Sequence, residues 1–310
     1  MRNEVASYSQ LTPVLLSNDG ELIYLEETQD KAIQMAWHNF EIPNKQFKTF
    51  AKHLLASESL EFVQTAAAGL DAPFFKQLAA KGITLCNSDA QANSIAEYVL
   101  AMLLASFHNF KERQSLQKAK KWQMQPFREL KGSNSLVLGY GNIGSRIVDR
   151  LLAFESNVSV IRRQNAEVAG ATRTGTLSDL PEYLASADIV IMASALNSDT
   201  QQLFDEAMFS HCKPGCTIVN IARGAMIDEK ALLQALDKQI VEHAILDVFE
   251  VEPLPTDHPF WHHEQVVVTA HTSNDGSGRR QRGDELFLEN LKMYTEGQPL
   301  RNQVDIASLT

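Results

Sequence analysis

Cysteine is scarce in this chain. Cys86, Cys212 and Cys216 are the only three in 310 residues, too few for a disulfide framework, and a reducing cytoplasm is the compartment this usage predicts. Cys212 and Cys216 have no second ligand pair nearby, and a structural zinc site takes four ligands, so no metal is expected. Long apolar runs are missing too: nothing approaches the roughly 18–20 apolar residues of a membrane-spanning helix. The opening MRNEVASYSQ has no apolar signal core, so neither a membrane partner nor export is expected. Positive charge is also short. With 28 Lys and Arg against 38 Asp and Glu, the formal net charge is −10. That argues against nucleic acid as a partner, because nucleic-acid-binding proteins present a basic face. An anionic ligand must therefore be met by local cations, which makes the position of each arginine informative.

What is present is an ordinary globular composition, 44% hydrophobic and 21% charged, in a chain long enough for two cores. From residue 135 onward, short apolar runs alternate with amphipathic stretches. SLVLG (135–139), NVSVI (157–161), DIVIMAS (188–194), CTIVNI (216–221), HAILDV (243–248) and QVVVTA (265–270) read as strands, with NIGSRIVDRLLAF and DEKALLQALDKQ among the helices. Near-continuous apolar strands separated by helices predict an α/β fold, a doubly wound parallel sheet covered on both faces. Earlier in the chain PVLLS, FVQTAA and GITLCN look like strands and NKQFKTFAKHLLA and DAPFFKQLAAKG like helices, a second and smaller α/β unit. This reading assigns a discontinuous substrate-binding domain to residues 1–100 and 282–310 and a dinucleotide-binding domain to 101–281. Long helices at 93–110 and near 283–296 would connect them across a hinged cleft.

LVLGYGNIGSRI places Gly139, Gly141 and Gly144 in G-x-G-x-x-G spacing directly after a strand and at the opening of a helix. Such glycines permit a tight turn, close approach of backbone to a pyrophosphate, and close helix–strand packing. The helix start at Asn142 and Ile143 offers unpaired N–H groups to phosphate. The next strand ends in SVIRRQ. Where a carboxylate would accept hydrogen bonds from the ribose of NAD, the chain has Arg162 and Arg163. A carboxylate there repels a 2′-phosphate, whereas arginine pairs with it bidentately, so NADP(H) is the preferred cofactor and NAD(H) the second choice. Solvated surface arginines are the alternative, and the sequence does not decide which of the two makes the main contact.

Ligands of an open α/β sheet sit beyond the carboxyl ends of its strands. There the chain places Arg223 (NIARGA), Asp247 with Glu252 (ILDVFEVEP) and His271 (VVVTAHTS). Singly, each has a bland reading: a surface loop, a solvated turn, a satisfied loop histidine. Together they suit reduction of a 2-oxo acid. The arginine would clamp the carboxylate and polarise the carbonyl, the histidine would give the proton, and the glutamate would hold the histidine protonated.

These segments, with TAAAGLD (65–71), NSIAEYVLAMLLA and the closing ENLKMYTEGQPLRNQVD, resemble the D-isomer-specific 2-hydroxyacid dehydrogenases in order and spacing, weakly over the first 60 residues and closely thereafter. The resemblance implies a Rossmann cofactor domain with a smaller flavodoxin-like substrate domain, and a homodimer formed through the cofactor domain. It implies Arg223 as substrate-binding arginine, His271 as acid/base with Glu252 as its partner, and Asp247 on the nicotinamide carboxamide. Backbone N–H groups of Ala68 and Gly69 would hold the substrate carboxylate. Ala195, where the family has proline, would lie with the cofactor; Ala270 likewise replaces the proline before the histidine, and His243 replaces a glycine. The implied substrate is a small 2-oxo or 2-hydroxy acid, glyoxylate or hydroxypyruvate. The alternatives are an NAD-dependent D-3-phosphoglycerate dehydrogenase, disfavoured by the arginines and by the lack of a regulatory domain after residue 310, and a dinucleotide-sensing co-repressor-like binding protein.

Overall fold

The computed structural model describes Val5 and residues 14–17, 19, 21–24, 32–40, 42 and 44–305. The chain divides into two compact units, Met1–Gln91 with Ser277–Thr310, and Ala92–Gly276.

In the first unit β1 (Val14–Leu16) and β2 (Leu22–Tyr24) form an antiparallel pair. A separate parallel sheet has the order β3 (Met35–His38), β4 (Phe62–Thr65), β5 (Thr84–Cys86). The helices Asn44–Ala56 and Pro73–Ala80 connect these strands, and Arg279–Thr295 returns to the same unit. Its core is aromatic and aliphatic, with Phe50, Leu54, Val63, Phe74, Phe75, Leu78 and Leu85 all buried. Strands β2 and β3 were not anticipated from the sequence.

The second unit holds a seven-stranded parallel sheet. Its strands are β6 (Asn134–Leu138), β7 (Asn157–Ile161), β8 (Arg173–Gly175), β9 (Ile189–Met192), β10 (Cys216–Asn220), β11 (Val241–Leu246) and β12 (Val266–Val268). Their order is β12-β11-β10-β9-β6-β7-β8. The six strands read from the sequence are present; the seventh is β8, whose three residues Arg-Thr-Gly carry no apolar run and sit at the sheet edge. Alternate side chains project to opposite faces. Leu136, Leu138, Val190, Met192, Ile218 and Leu246 pack on one side. On the other side Val137, Ile189, Ile191, Val219 and Ile245 meet Val99 and Leu103 of the helix Ala92–Phe107 and Ile147 and Leu151 of Asn142–Ala153. Both faces of β9 and β10 are covered, which is why these strands are apolar throughout.

The segment read as one helix over 93–110 is two. Ala92–Phe107 stops where Asn109 turns left-handed (φ +52°), and Phe110–Lys118 begins anew. Among the described residues no helix is long and apolar enough to cross a membrane.

Candidate active site

The chain runs outward from β6 through β7 to β8, then starts again beside β6 at β9 and continues to β12. The order therefore reverses between β6 and β9, the point where such sheets open a crevice at their carboxyl ends. Gly139 leaves β6 there with φ +98°, and a Cβ on it would come within 2.7 Å of Ala193 and Ser194 beyond β9. Gly144 serves helix packing: its Cβ would sit 2.0 Å from the carbonyl oxygen of Gly139. Gly141 is different. It precedes the helix Asn142–Ala153 in an extended conformation, and an added Cβ would meet no protein atom within 4 Å. Nothing among the described residues requires glycine at that position, so the space it leaves suits a ligand brought against the backbone. No side chain caps the helix, so Asn142 and Ile143 present their N–H groups at its positive end. These features fit the pyrophosphate of a dinucleotide.

Arg162 follows β7, its backbone N–H held by Gly175 O at 3.0 Å. Its guanidinium lies over the ring of Tyr140, 5.5 Å from the centroid, and reaches Ala166 O at 3.5 Å. Arg163 is exposed. Among the described residues no carboxylate pairs with either. Arg173, by contrast, is committed: it pairs with Glu182 and stacks 4.0 Å over Tyr183. The fold thus presents Arg162 beside the glycine turn, with exposed Arg163 next to it in the chain and no carboxylate partner for either among the described residues, in a chain whose net charge is negative.

Past β9, the loop carrying exposed Ala195 is closed by Thr200, whose hydroxyl donates to Ala195 O at 2.9 Å. Past β10, buried Asn220 shapes the turn that carries Arg223. Its amide donates to Arg223 O at 2.9 Å and its Oδ1 accepts Ala222 N–H at 3.0 Å. Arg223 is half-buried and its Nη1 donates to Ala222 O at 2.7 Å. Next to it Gly224 lies against the loop after β11, where a Cβ would fall 1.8 Å from Phe249 C and 2.3 Å from Glu250 N. The loop bearing Arg223 and the loop bearing Glu252 therefore pack backbone to backbone, and only glycine permits that contact.

His271 follows β12 in the left-handed region, φ +53°, a conformation that costs a residue with a Cβ about 1 kcal/mol. Its Nδ1 lies 2.9 Å from Glu252 Oε2, and Glu252 Oε1 accepts Phe249 N–H at 3.0 Å. With Nδ1 donating to the carboxylate, Nε2 is the ring atom left to exchange a proton, and among the described residues it has no partner.

Asp247 is fully buried at the end of β11. Its Oδ1 accepts the Thr269 hydroxyl at 2.6 Å and Thr272 N–H at 2.9 Å, and its Oδ2 accepts Ser273 N–H at 3.0 Å. Its carboxylate is thus engaged by the loop that carries His271. In the smaller unit Ala68 and Gly69 lie in the turn after β4. Ala66 N–H is taken by His38 O and Ala67 N–H by Thr65 Oγ1, while Asn87 Nδ2 donates to Ala68 O at 2.8 Å. Among the described residues neither Ala68 N–H nor Gly69 N–H finds an acceptor.

Sequence reading missed Asn220, Tyr98, Thr269, and the pair His258–Glu229 that braces the loop after β11. Glu229 accepts Glu250 N–H at 3.0 Å and lies 3.2 Å from His258 Nε2. Only Glu229 left a local signal, the acidic first turn of a helix capped by Asp228. Cys212 and Cys216 lie at the opposite, amino end of β10, and His243 toward the amino end of β11, where burial pushes its imidazole down.

Residues 100–273 match the family described as D-isomer specific 2-hydroxyacid dehydrogenase, NAD binding domain. A D-isomer specific 2-hydroxyacid dehydrogenase from Xanthobacter autotrophicus, solved with NADPH and MES, is 26% identical with a TM-score of 0.80, over 99% of this chain and 94% of that one. A glyoxylate/hydroxypyruvate reductase A from Serratia proteamaculans is 32% identical over 180 residues, 58% of each chain. A D-3-phosphoglycerate dehydrogenase from Mycobacterium leprae is 31% identical over 259 residues, 83% of this chain. The chain spans about half the length of that dehydrogenase, 49%.

Proposed function

The chain belongs to the D-isomer-specific 2-hydroxyacid dehydrogenases, a family of NAD(P)-dependent enzymes, and from that premise we propose that it is an NADP(H)-preferring reductase of a small 2-oxo acid, glyoxylate or hydroxypyruvate. The observation that carries the proposal is the His271–Glu252 contact at 2.9 Å with Nε2 left over, beside the loop of Arg223. The cofactor, when bound, supplies the hydride. Gly141, Asn142 and Ile143 would receive its pyrophosphate, with Gly139 and Gly144 packing that turn in place and Ala195 along the same strand ends, and Arg162 and Arg163 would take the 2′-phosphate.

Arg223 holds the substrate carboxylate and draws electron density from the neighbouring carbonyl. The N–H groups of Ala68 and Gly69 bind the same carboxylate. His271 gives its Nε2 proton to the carbonyl oxygen, and Glu252 stabilises the imidazolium from Nδ1 and fixes the ring's orientation. The preference for NADPH over NADH favours the reductive direction.

We further propose that two copies associate through the larger unit. Trp122 and Met124 are almost fully exposed there, and Phe110 and Phe127 are exposed in the same segment; exposed apolar side chains of this size are common at interfaces.

The test follows cofactor absorbance across a panel of 2-oxo acids, with NADPH and NADH in parallel. NADPH-dependent turnover of glyoxylate or hydroxypyruvate is expected. Equal or faster rates with NADH overturn the role given to Arg162 and Arg163. Silence across the panel, with dinucleotide binding retained, favours a sensor instead.

A further inference from the structure

His271 depends on a left-handed backbone at a residue other than glycine, and the residue before it, Ala270, does nothing to stiffen the loop. The restraint comes from elsewhere. Asp247 binds the loop at Thr269, Thr272 and Ser273, and its carbonyl oxygen accepts His271 N–H at 2.8 Å. Because the Thr269 hydroxyl spends its hydrogen on Asp247, its oxygen is free to accept, and the Tyr98 hydroxyl stands 2.7 Å away. Burial pushes the Tyr98 hydroxyl up to about 12, which keeps it a donor at ordinary pH.

Tyr98 lies in the helix Ala92–Phe107, and Ser94 lies one turn before it on the same face. Ser94 Oγ lies 3.4 Å from Asn274 O, and a Cβ on Gly276 would fall 2.4 Å from Ser94 Cβ. One helix face thus holds the loop of His271 at both ends, through Tyr98 at Thr269 and through Ser94 at Asn274 and Gly276.

We propose that Tyr98 is a positioning residue for the proton donor, acting through Thr269 and the carboxylate of Asp247 to hold the left-handed turn that aims His271. It rests on the reading of His271 given above. Asp247 then serves as the anchor of this turn, a use of its carboxylate that leaves neither oxygen without a donor.

The experiment compares wild type, Tyr98→Phe, Ala270→Pro and the double variant. Ala270 N–H donates no hydrogen bond among the described residues, so proline removes no bond there and restricts the turn by fixing φ. Tyr98→Phe keeps the packed ring and removes only the hydroxyl. It should lower kcat about fivefold while the KM of the 2-oxo acid and that of the cofactor move less than about twofold. Ala270→Pro in that background should recover at least half of the loss. An unchanged kcat, a loss carried entirely by KM, or no recovery with proline overturns the proposal.

A second readout needs no turnover. In protein labelled with nitrogen-15 at histidine, with His271 assigned by its absence in His271→Gln, the ring signals of His271 should shift and broaden in Tyr98→Phe and return in the double variant. If wild type reduces no 2-oxo acid, the proposed function falls, and these signals still decide the role of Tyr98. Identical signals in wild type and Tyr98→Phe exclude it.

Discussion

Two histidine–glutamate pairs stand within one stretch of the larger unit, and they share chemistry but not circumstance. In His271–Glu252 the atoms are 2.9 Å apart and the side chains 43% and 36% exposed; in His258–Glu229 they are 3.2 Å apart and the side chains 18% and 16% exposed. Both nitrogens of His258 are engaged, Nδ1 by Phe260 N–H at 3.3 Å and Nε2 by Glu229. Among the described residues only Nδ1 of His271 is engaged, and its backbone is held left-handed by a carboxylate that binds the loop three times. A histidine–glutamate contact is therefore not by itself a mark of catalysis. In the proposed reading a working acid keeps one nitrogen open and is aimed by its surroundings, whereas a structural pair uses both nitrogens to join two segments, here the helix start at Glu229 and the turn at Pro259.

The largest expected effect breaks the comparison directly. His271→Gln should lower kcat about a thousandfold, within the usual range for losing a general acid, while the Kd for NADPH changes less than about twofold. Single-turnover rates and equilibrium titration of the cofactor measure the two quantities separately. Retained turnover would place His271 in the same structural role as His258.

The contrast also shows what a sequence carries and what it does not. The strands β6, β7, β9, β10, β11 and β12 were legible because burial on both faces demands continuous apolar runs. Their carboxyl ends in turn pointed to Arg223, Asp247 and His271 as candidates, and to Glu252 with them. β8 was not, since an edge strand of Arg-Thr-Gly gains little from burial. Tyr98 was hidden for another reason: in an apolar helix it reads as one more core residue, and its hydroxyl partner lies 171 positions away. The Gly224 contact with the loop after β11, and the bond from Glu250 N–H to the Glu229 carboxylate, are likewise long-range events with no local periodicity to announce them.

A histidine that meets no carboxylate among the described residues sharpens the comparison from the opposite side. His38, at the end of β3, meets Thr65 Oγ1 at 2.9 Å and packs on Phe47, Phe50 and Phe75. Burial pushes its imidazole down to about 4, from 6.5 when unfolded. The unfolded chain therefore binds the proton more readily, and the stability associated with neutral His38 is fully present above pH 6.5 and lost as pH falls toward 4. The loss should approach about 3 kcal/mol. Urea midpoints at pH 7 and pH 4.5 should fall further in wild type than in His38→Gln, and equal falls would show that other groups govern the acid limb.

The smallest expected effect tests whether the second pair is only structural. His258→Gln keeps an N–H donor for Glu229 but weakens the cap on Phe260 N–H. It should cost about 1 kcal/mol of stability, the worth of one partly buried hydrogen bond, and lower kcat less than about threefold. The reason for so small a catalytic effect is that Glu229 still accepts Glu250 N–H, and Glu252 still accepts Phe249 N–H, so the loop after β11 stays fastened at two points. Urea unfolding and steady-state rates on the same preparation measure both. A hundredfold fall in kcat at unchanged stability would mean that the pair His258–Glu229 sets the aim of Glu252, and that the two pairs work as one.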